Sequence, residues 1–189
     1  MRKLIVSEFM TLDGVMEAPG GESSHPHTGW VFDFMTPEQE QYKLEETVGA
    51  ESLLLGRVTY EGFAAAWPER GGTFADKMNA MPKHVVSSTL SDPLAWSNST
   101  VLGGDAVDEV TKLKAGEGGP ILVAGSCTLV RSLIENDLVD ELRLMVFPVL
   151  IGGGKRIFPE SRQKKTLRPT ATEAFPSGVV VHAYEPAGD

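Results

Sequence analysis

Apolar runs and amphipathic segments alternate along most of this chain. Short apolar runs predict buried strands, and segments whose apolar residues recur every three or four positions predict helices. The predicted strands cover residues 3–9, 53–55, 84–88, 100–102, 121–124 and 141–147. The predicted helices cover residues 37–48, 74–81, 105–114 and 128–136, and a further helix begins at Arg57. Strands that alternate with helices predict an α/β fold of three layers around a mainly parallel sheet.

Two segments interrupt this alternation. Residues 16–36 form a long predicted loop, whose aromatic residues Trp30, Phe32 and Phe34 indicate a packed lid or the wall of a pocket. Residues 167–185 predict two antiparallel strands joined by a turn at residues 176–178. The sheet is therefore expected to have an antiparallel C-terminal edge. Because the sequence contains no repeat and no linker, residues 1–189 are predicted to form one domain.

Composition and charge narrow the class of protein. Hydrophobic residues make up 41% of the 189 residues and charged residues 23%, which is typical of globular proteins. The net charge of −9 argues against a nucleic-acid partner, because phosphate backbones are bound by clusters of Lys and Arg. No apolar run approaches the roughly 20 residues of a membrane helix, so no membrane partner is expected. A single cysteine, Cys127, fits a reducing compartment, and we expect a cytoplasmic location.

Glycine and hydroxyl residues follow four of the predicted strands. They are Gly56, Ser87 with Ser88, Gly103 with Gly104, and Gly125 with Ser126. Ligands of open parallel sheets bind beyond the carboxyl ends of the strands. Three of the four positions also open a helix, where free N–H groups favour an anion. Arg57 and Thr59 add a guanidinium group and a hydroxyl group, and together these features predict a site for a dinucleotide phosphate. No glycine fingerprint of an ordinary Rossmann domain and no Walker A sequence is present.

Several motifs, taken in order, resemble a known family. LGRVTYE at residues 55–61 is similar to a signature of the dihydrofolate reductase fold, and VSS at 86–88 and ILVAGS at 121–126 resemble later strand ends of that fold. TLDG at 11–14, LVDEL at 138–142 and PVLIGGG at 148–154 resemble more specifically the reductase domain of bacterial riboflavin biosynthesis, the RibD C-terminal domain. The resemblance covers most of the chain and implies a dihydrofolate reductase-like fold.

The resemblance implies NADPH as the cofactor. By this resemblance, Arg57 and Thr59 would contact the adenosine-side phosphates, and Ser87 and Ser88 would contact the adenosine half. Gly125 and Ser126 would contact the pyrophosphate. The expected cofactor-binding residues are Gly56, Arg57, Thr59, Ser87, Ser88, Gly104, Gly125 and Ser126. The expected substrate-binding residues are Asp13, Trp30, Phe34 and Phe147. Asp13 either orients the substrate or forms the turn after the first strand, the aromatic residues either stack on a planar heterocycle or fill the core, and no catalytic residue is identified.

The implied function is an NADPH-dependent reductase that transfers hydride to a small heterocyclic or carbonyl-like acceptor. A second hypothesis is the reduction of 5-amino-6-(5-phosphoribosylamino)uracil, with Lys155 and Arg156 near the substrate phosphate. A third is a nucleotide-binding protein without catalysis. Two departures from the family pattern matter: no acidic residue lies in the register that holds folate, and Ser126 replaces the second glycine of the pyrophosphate pair. A homodimer is expected through the C-terminal edge.

Three other positions have alternative interpretations. His25 and His27 follow two glutamates, but a metal site needs rigidly held ligands, so an ordinary polar loop is favoured and no metal is expected. Cys127 opens a helix, which can lower the pKa of a thiol, but a small buried residue is the simpler interpretation. Asp140 and Glu141 are expected in a solvated turn or at a partner-facing edge.

Overall fold

The computed structural model describes residues 1–158 and 164–188. Its strands are β1 (Leu4–Thr11), β2 (Ser52–Gly56), β3 (Lys83–Val86), β4 (Ser99–Leu102), β5 (Ile121–Val123), β6 (Glu141–Phe147), β7 (Leu167–Ala174) and β8 (Val180–Pro186). Its helices are α1 (Pro37–Gly49), α2 (Arg57–Ala66), α3 (Thr73–Ala80), α4 (Ala106–Ala115) and α5 (Cys127–Glu135). Every predicted strand and helix is present, and their ends lie within about two residues of the predicted ones.

The eight strands form one sheet in the order β4-β3-β2-β5-β1-β6-β8-β7. The first six strands are parallel, while β8 pairs antiparallel with β6, and β7 pairs antiparallel with β8. The predicted α/β fold with an antiparallel C-terminal edge is thereby confirmed. None of the described helices has the length and apolarity needed to cross a lipid bilayer.

Both faces of the sheet are covered, because side chains of alternate strand residues point to opposite sides. On one face, Leu4 and Val6 of β1 pack with Val130 and Leu133 of α5. On the other face, Ile5 packs in a cluster that includes Tyr60 of α2. Helices α1, α2 and α3 lie on this second face, and α4 and α5 lie on the first, which gives the three predicted layers.

The start of α1 is held against the β7–β8 turn. Pro37 occupies the first helical position, where its missing N–H costs nothing. The side chain of Gln39 accepts a hydrogen bond from the backbone N–H of Thr36 (2.7 Å), which is one half of a capping box. The same buried amide donates to the hydroxyl of Ser177 (3.0 Å). These contacts place the end of the long loop beside the carboxyl end of β6.

Parallel pairing brings the carboxyl ends of β1 to β6 to one edge of the sheet. Gly56 pairs with Val86 across β2 and β3, and Thr11 pairs with Phe147 across β1 and β6. All the glycine and hydroxyl positions that follow these strands therefore lie along the same edge, which we call the carboxyl edge.

Candidate functional site

The corner between β2 and α2 forms as the sequence predicts. Gly56 ends the strand in extended backbone and serves as the N-cap of α2, which begins at Arg57. The first turn of this helix contains no acidic residue, so its N–H groups and dipole favour an anion. The Arg57 guanidinium is 44% exposed and pairs with Glu61 of the next turn (2.9 Å). An exposed pair of this kind is weak, so Arg57 can exchange it for a ligand phosphate.

A groove of about 440 Å³ lies beside this corner and is lined by Arg57, Val86, Ser87, Ser88, Thr89, Gly104 and Ala106. Four of the expected cofactor residues therefore share one surface. Ser87 is buried, and its hydroxyl oxygen accepts hydrogen bonds from the N–H groups of the next turn (3.0 and 3.1 Å), so it shapes the groove. Ser88 is exposed and free to contact a ligand. The N-terminus of α4 is capped by its own Asp105 carboxylate, so Gly104 contributes its backbone to the groove rather than an open helix end.

The loop between β5 and α5 is held by three hydrogen bonds. Gly125 and Ser126 both have φ of +64°, the left-handed region. The N–H of Gly125 donates to Glu8 Oε2 (2.9 Å), and the N–H of Ser126 donates to Thr59 Oγ1 (2.9 Å). The hydroxyl oxygen of Ser126 accepts from the N–H of Gly56 (2.8 Å). The two loop N–H groups are thus engaged within the protein, and the groups of this corner left for a phosphate are the hydroxyl hydrogens of Thr59 and Ser126 and the N-terminus of α5.

Glu8 is a member of this site that the sequence pattern did not reveal. Its side chain lies on β1 and is only 3% exposed. Within the described part of the chain, its second carboxyl oxygen, Oε1, has no hydrogen-bond partner. Burial raises the pKa of Glu8 well above its ordinary value, against the opposing effects of Lys43 and of the Gly125 hydrogen bond. A carboxyl group inside a predicted buried strand was the available signal, because such groups are rarely buried without a specific partner.

Asp13 fastens the turn after β1 to residues 148–154. Its carboxylate accepts hydrogen bonds from the Thr11 hydroxyl (2.6 Å) and from the N–H of Gly152 (2.8 Å). The Thr11 hydrogen bond is the main reason why the pKa of Asp13 is lowered, and the backbone N–H groups add to it. Of the two interpretations of Asp13, the observed contacts support the anchoring role, while its place at the carboxyl edge keeps it near a ligand bound there.

The two basic residues that follow residues 152–154 are already engaged. The Arg156 guanidinium donates to the backbone carbonyls of Asp13 and Gly152. Lys155 lies 3.9 Å from the carboxylate of Glu17. These contacts hold the loop together, but the carbonyls are neutral and the Lys155 pair is long and exposed, so both residues keep positive charge that a ligand phosphate could meet.

The expected aromatic residues form a cluster around Phe147. Phe147 is 0% exposed. The rings of Trp30, Phe9 and Phe34 pack edge to face against its ring, with ring centroids 5.2, 5.5 and 6.1 Å from that of Phe147. The indole N–H of Trp30 donates to the carbonyl of Glu17 (2.9 Å). Trp30 and Phe147 are therefore core residues in this structure. Phe34 is half-buried, so among these three expected substrate-binding residues it is the one whose ring is partly exposed to a ligand.

The expected cofactor and substrate residues occupy different parts of the carboxyl edge. The cofactor positions follow β4, β3, β2 and β5, whereas Asp13 follows β1, and Phe147 ends β6. From β3 to β1 is three strand spacings, about 14 Å. A ligand that reaches from the Arg57 groove to Asp13 must therefore be elongated.

The remaining candidates have structural contacts. His25 Nε2 lies 3.0 Å from the carbonyl of Gly153, and the described residues contain no group of three side chains placed to hold a metal ion. Burial is the main cause of the raised pKa of Cys127, and its thiol donates to the carbonyl of Arg156 (3.3 Å). The expectation for Glu141 was wrong: it is buried as the first residue of β6, and its carboxylate pairs with Lys3 (2.6 Å) and with Arg143.

Comparisons with known proteins agree with this architecture. A family model described as the RibD C-terminal domain matches residues 2–181. Two relatives from Bacillus subtilis strain 168 are called uncharacterized: YyaP is 28% identical over 188 residues (97% of this chain, 94% of YyaP), and YwjB is 26% identical over 182 residues (96% of this chain, 97% of YwjB).

Two solved structures have a similar fold. A putative riboflavin biosynthesis protein from Shewanella sp. PV-4 matches with a TM-score of 0.76 and 20% identity, over 98% of this chain and 99% of that one. A pyrimidine reductase-like protein from Corynebacterium diphtheriae matches with a TM-score of 0.65 and 11% identity, over 100% of this chain and 93% of that one. At these identities the likeness demonstrates the fold alone.

Proposed function

The chain belongs to the family of RibD C-terminal domains, and from that premise we propose that it is a reductase that uses NADPH to transfer hydride to a small heterocyclic or carbonyl acceptor. The observation that carries the proposal is the groove in which Arg57, Ser87, Ser88 and Gly104 meet at the carboxyl edge. A guanidinium group, hydroxyl groups and a helix N-terminus are the donors that phosphates and ribose require.

The residues along this edge fit an elongated, anionic cofactor. Arg57 would bind an adenosine-side phosphate, and Ser88 would contact the adenosine half. The hydroxyl oxygens of Thr59 and Ser126 accept hydrogen bonds from backbone N–H groups, so the hydroxyl hydrogens are free to donate to the pyrophosphate. Thr59 can pack directly on the loop because Gly125 has no side chain: a Cβ there would lie 2.9 Å from Thr59 Cγ2. When bound, the cofactor supplies the hydride, and the protein supplies position and a dry surface.

The substrate side of the edge carries exposed apolar groups. Leu12 and Leu150 are 65% and 69% exposed, and the N–H of Leu12 donates to the carbonyl of Val149, which joins the two segments (3.0 Å). Phe34 adds a half-exposed ring. These exposed apolar groups suit a flat apolar acceptor. A phosphorylated acceptor would instead use Lys155 and Arg156, whose contacts with Glu17 and with loop carbonyls are exchangeable.

The reduction of 5-amino-6-(5-phosphoribosylamino)uracil is the second candidate, and the family model favours it. Incubating the protein with NADPH and either this pyrimidine or its dephosphorylated form would separate the candidates. Faster NADPH oxidation with the phosphorylated compound would make the second candidate the better one. NADPH binding without oxidation by any heterocycle or carbonyl compound would favour a nucleotide-binding protein without catalysis.

The cofactor proposal is tested by titrating NADPH and NADH and following nicotinamide fluorescence. Loss of a charged hydrogen bond costs about 1.5–3 kcal/mol, so Arg57→Ala should raise the Kd for NADPH roughly 10- to 150-fold. Arg168→Ala is a matched control, because Arg168 is also exposed and pairs with a glutamate at 2.9 Å, but it lies on β7. Absence of NADPH binding by the unmodified protein, or equal Kd values for the two variants, would refute the proposal.

A homodimer through the C-terminal edge is part of the proposal. All eight residues of β7 are exposed, and β7 is the last strand of the sheet. An uncovered edge strand offers unpaired backbone groups to a second copy of the chain. Sedimentation velocity over a range of concentrations should therefore find a dimer, and a monomer at every concentration would contradict this part.

A further inference from the structure

Glu8 occupies an unusual position beneath the proposed pyrophosphate loop. It points to the face of the sheet that α5 covers, and its Oε2 accepts the N–H of Gly125 (2.9 Å). Its Oε1 is shielded from solvent and has no partner among the described residues. A buried carboxyl oxygen without a partner is costly in either protonation state, so its presence calls for a specific explanation.

The loop that Glu8 supports has a backbone conformation that needs support. Two successive residues, Gly125 and Ser126, have φ of +64°, and Ser126 is not a glycine. A left-handed conformation costs a residue with a side chain about 1–2 kcal/mol. The hydrogen bonds from Gly125 to Glu8 and from Ser126 to Thr59 hold this conformation, and they direct the N-terminus of the nine-residue helix α5 toward the carboxyl edge.

We propose that Glu8 is a positioning residue for the bound dinucleotide, and that its carboxyl group must be protonated for tight binding of the pyrophosphate. This inference rests on the proposed function, because it assigns a role to Glu8 within the same cofactor site. Glu8 does not touch the cofactor in this proposal and acts on it through the β5–α5 loop.

The charge of Glu8 decides whether the loop favours an anion. A protonated carboxyl group accepts the Gly125 N–H without adding charge, whereas a carboxylate places a negative charge directly behind the pyrophosphate. The ionisable groups that act on Glu8 are Lys43 and Glu46 of α1 and Cys127 of α5. Burial has the largest effect and raises the pKa of Glu8 well above its ordinary value, which favours the protonated form.

Proton linkage follows from this arrangement. An anion bound beside the loop further stabilises the protonated form of Glu8, so binding at a pH where Glu8 is partly ionised takes up a proton. As the pH rises through the pKa of Glu8, the Kd for NADPH should increase, by up to tenfold per pH unit. Below that pKa, the Glu8 contribution to the pH dependence should vanish.

The test compares the unmodified protein with Glu8→Gln over a pH range that brackets the titration of the Glu8 carboxyl carbon, followed by NMR. The amide oxygen of Gln can accept the Gly125 N–H but cannot ionise, so at low pH the two Kd values should agree within about threefold, and only the unmodified protein should lose affinity at high pH. Glu8→Leu lacks the acceptor and should bind NADPH roughly tenfold more weakly than Glu8→Gln at every pH. Superimposable pH profiles of the unmodified protein and Glu8→Gln would overturn the proposal. A slope that persists in Glu8→Gln and disappears in Cys127→Ala would assign the proton to the thiol and also overturn it.

A measurement without cofactor separates this inference from the proposed function. The backbone amide resonance of Gly125 in the free protein should shift with pH together with the carboxyl carbon of Glu8, and Glu8→Gln should abolish the shift. Hydrogen exchange at Gly125 should accelerate in Glu8→Leu while exchange in β1 stays slow. If Gly125 titrates in this way but no nicotinamide nucleotide binds, the proposed function fails and the positioning role of Glu8 in the loop stands. If nucleotide binds but Gly125 does not respond to Glu8, the inference alone fails.

Discussion

Replacing Gly125 by alanine should destabilise the protein and tests how the β5–α5 loop packs against the first turn of α2. The added Cβ would lie 2.9 Å from Thr59 Cγ2 and 3.0 Å from Thr59 Oγ1, which is closer than van der Waals contact allows. Thr59 cannot turn away freely, because its hydroxyl oxygen accepts the Ser126 N–H (2.9 Å). The substitution therefore forces either the loop or the first turn of α2 to move.

The expected loss in the free energy of unfolding has two parts. A left-handed φ of +64° costs an alanine about 1–2 kcal/mol relative to glycine. Overpacking against a fixed neighbour costs about 1–3 kcal/mol. The expected loss in the free energy of unfolding is thus about 2–5 kcal/mol, a large share of the roughly 5–15 kcal/mol typical of a domain.

Urea unfolding followed by circular dichroism measures this loss, and two other glycines provide controls. Gly152 has φ of +78°, but a Cβ added there would meet no atom within 4 Å, so Gly152→Ala carries the backbone cost without the steric one. Gly62 lies inside α2, also with open space around it, and Gly62→Ala should stabilise the protein by about 1 kcal/mol. If Gly125→Ala is no less stable than Gly152→Ala, the close contact with Thr59 does not exist in solution.

Three further predictions concern buried charges and the loop anchor. Lys83→Met should lower the free energy of unfolding by about 3 kcal/mol, because the fully buried ammonium group donates to three backbone carbonyls. The control Lys112→Met removes an exposed ion pair and should change the free energy of unfolding by less than about 0.5 kcal/mol in the same urea experiment. Glu46→Ala should cost about 3–5 kcal/mol, since it leaves two basic side chains without their buried carboxylate, and an unchanged urea midpoint would contradict this. Asp13→Asn should be destabilising at pH 7, and the difference from the unmodified protein should shrink toward pH 2. The reason is that the native pKa of Asp13 is lowered, so the stability it adds is present above its ordinary pKa and is lost as the pH falls through the native value.

Much of the fold was predictable because its signals are local. Three leucines followed by glycine predict a buried strand at residues 53–55, and β2 extends one residue further at each end, from Ser52 to Gly56. Thr36 and Pro37 predict the start of α1 to the residue. The turn at residues 176–178 predicts the antiparallel edge, because hairpins join strands that are neighbours in sequence.

The candidate site was predictable in position but not in detail. The rule that ligands bind at the carboxyl ends of parallel strands placed Arg57, Ser88 and Gly104 at one edge, and these residues do line one groove. The same rule could not tell that Ser87 closes a local turn or that Phe147 lies fully inside an aromatic cluster. Those properties depend on which side chains surround a residue, and the order of the strands in the sheet determines these neighbours.

The sequence by itself determined the helices and strands, the three-layer arrangement and the family, since each follows from periodicity, turn residues or motifs within short segments. Only the tertiary structure decided how the β5–α5 loop is held against β1 and α2. Thr59, which was expected to meet a phosphate, also accepts a hydrogen bond from the N–H of Ser126, 67 residues away. Glu8 reaches Gly125 across 117 residues of sequence. Such hydrogen bonds form because β1, β2 and β5 are neighbours in the sheet, and no local pattern of residues records that order.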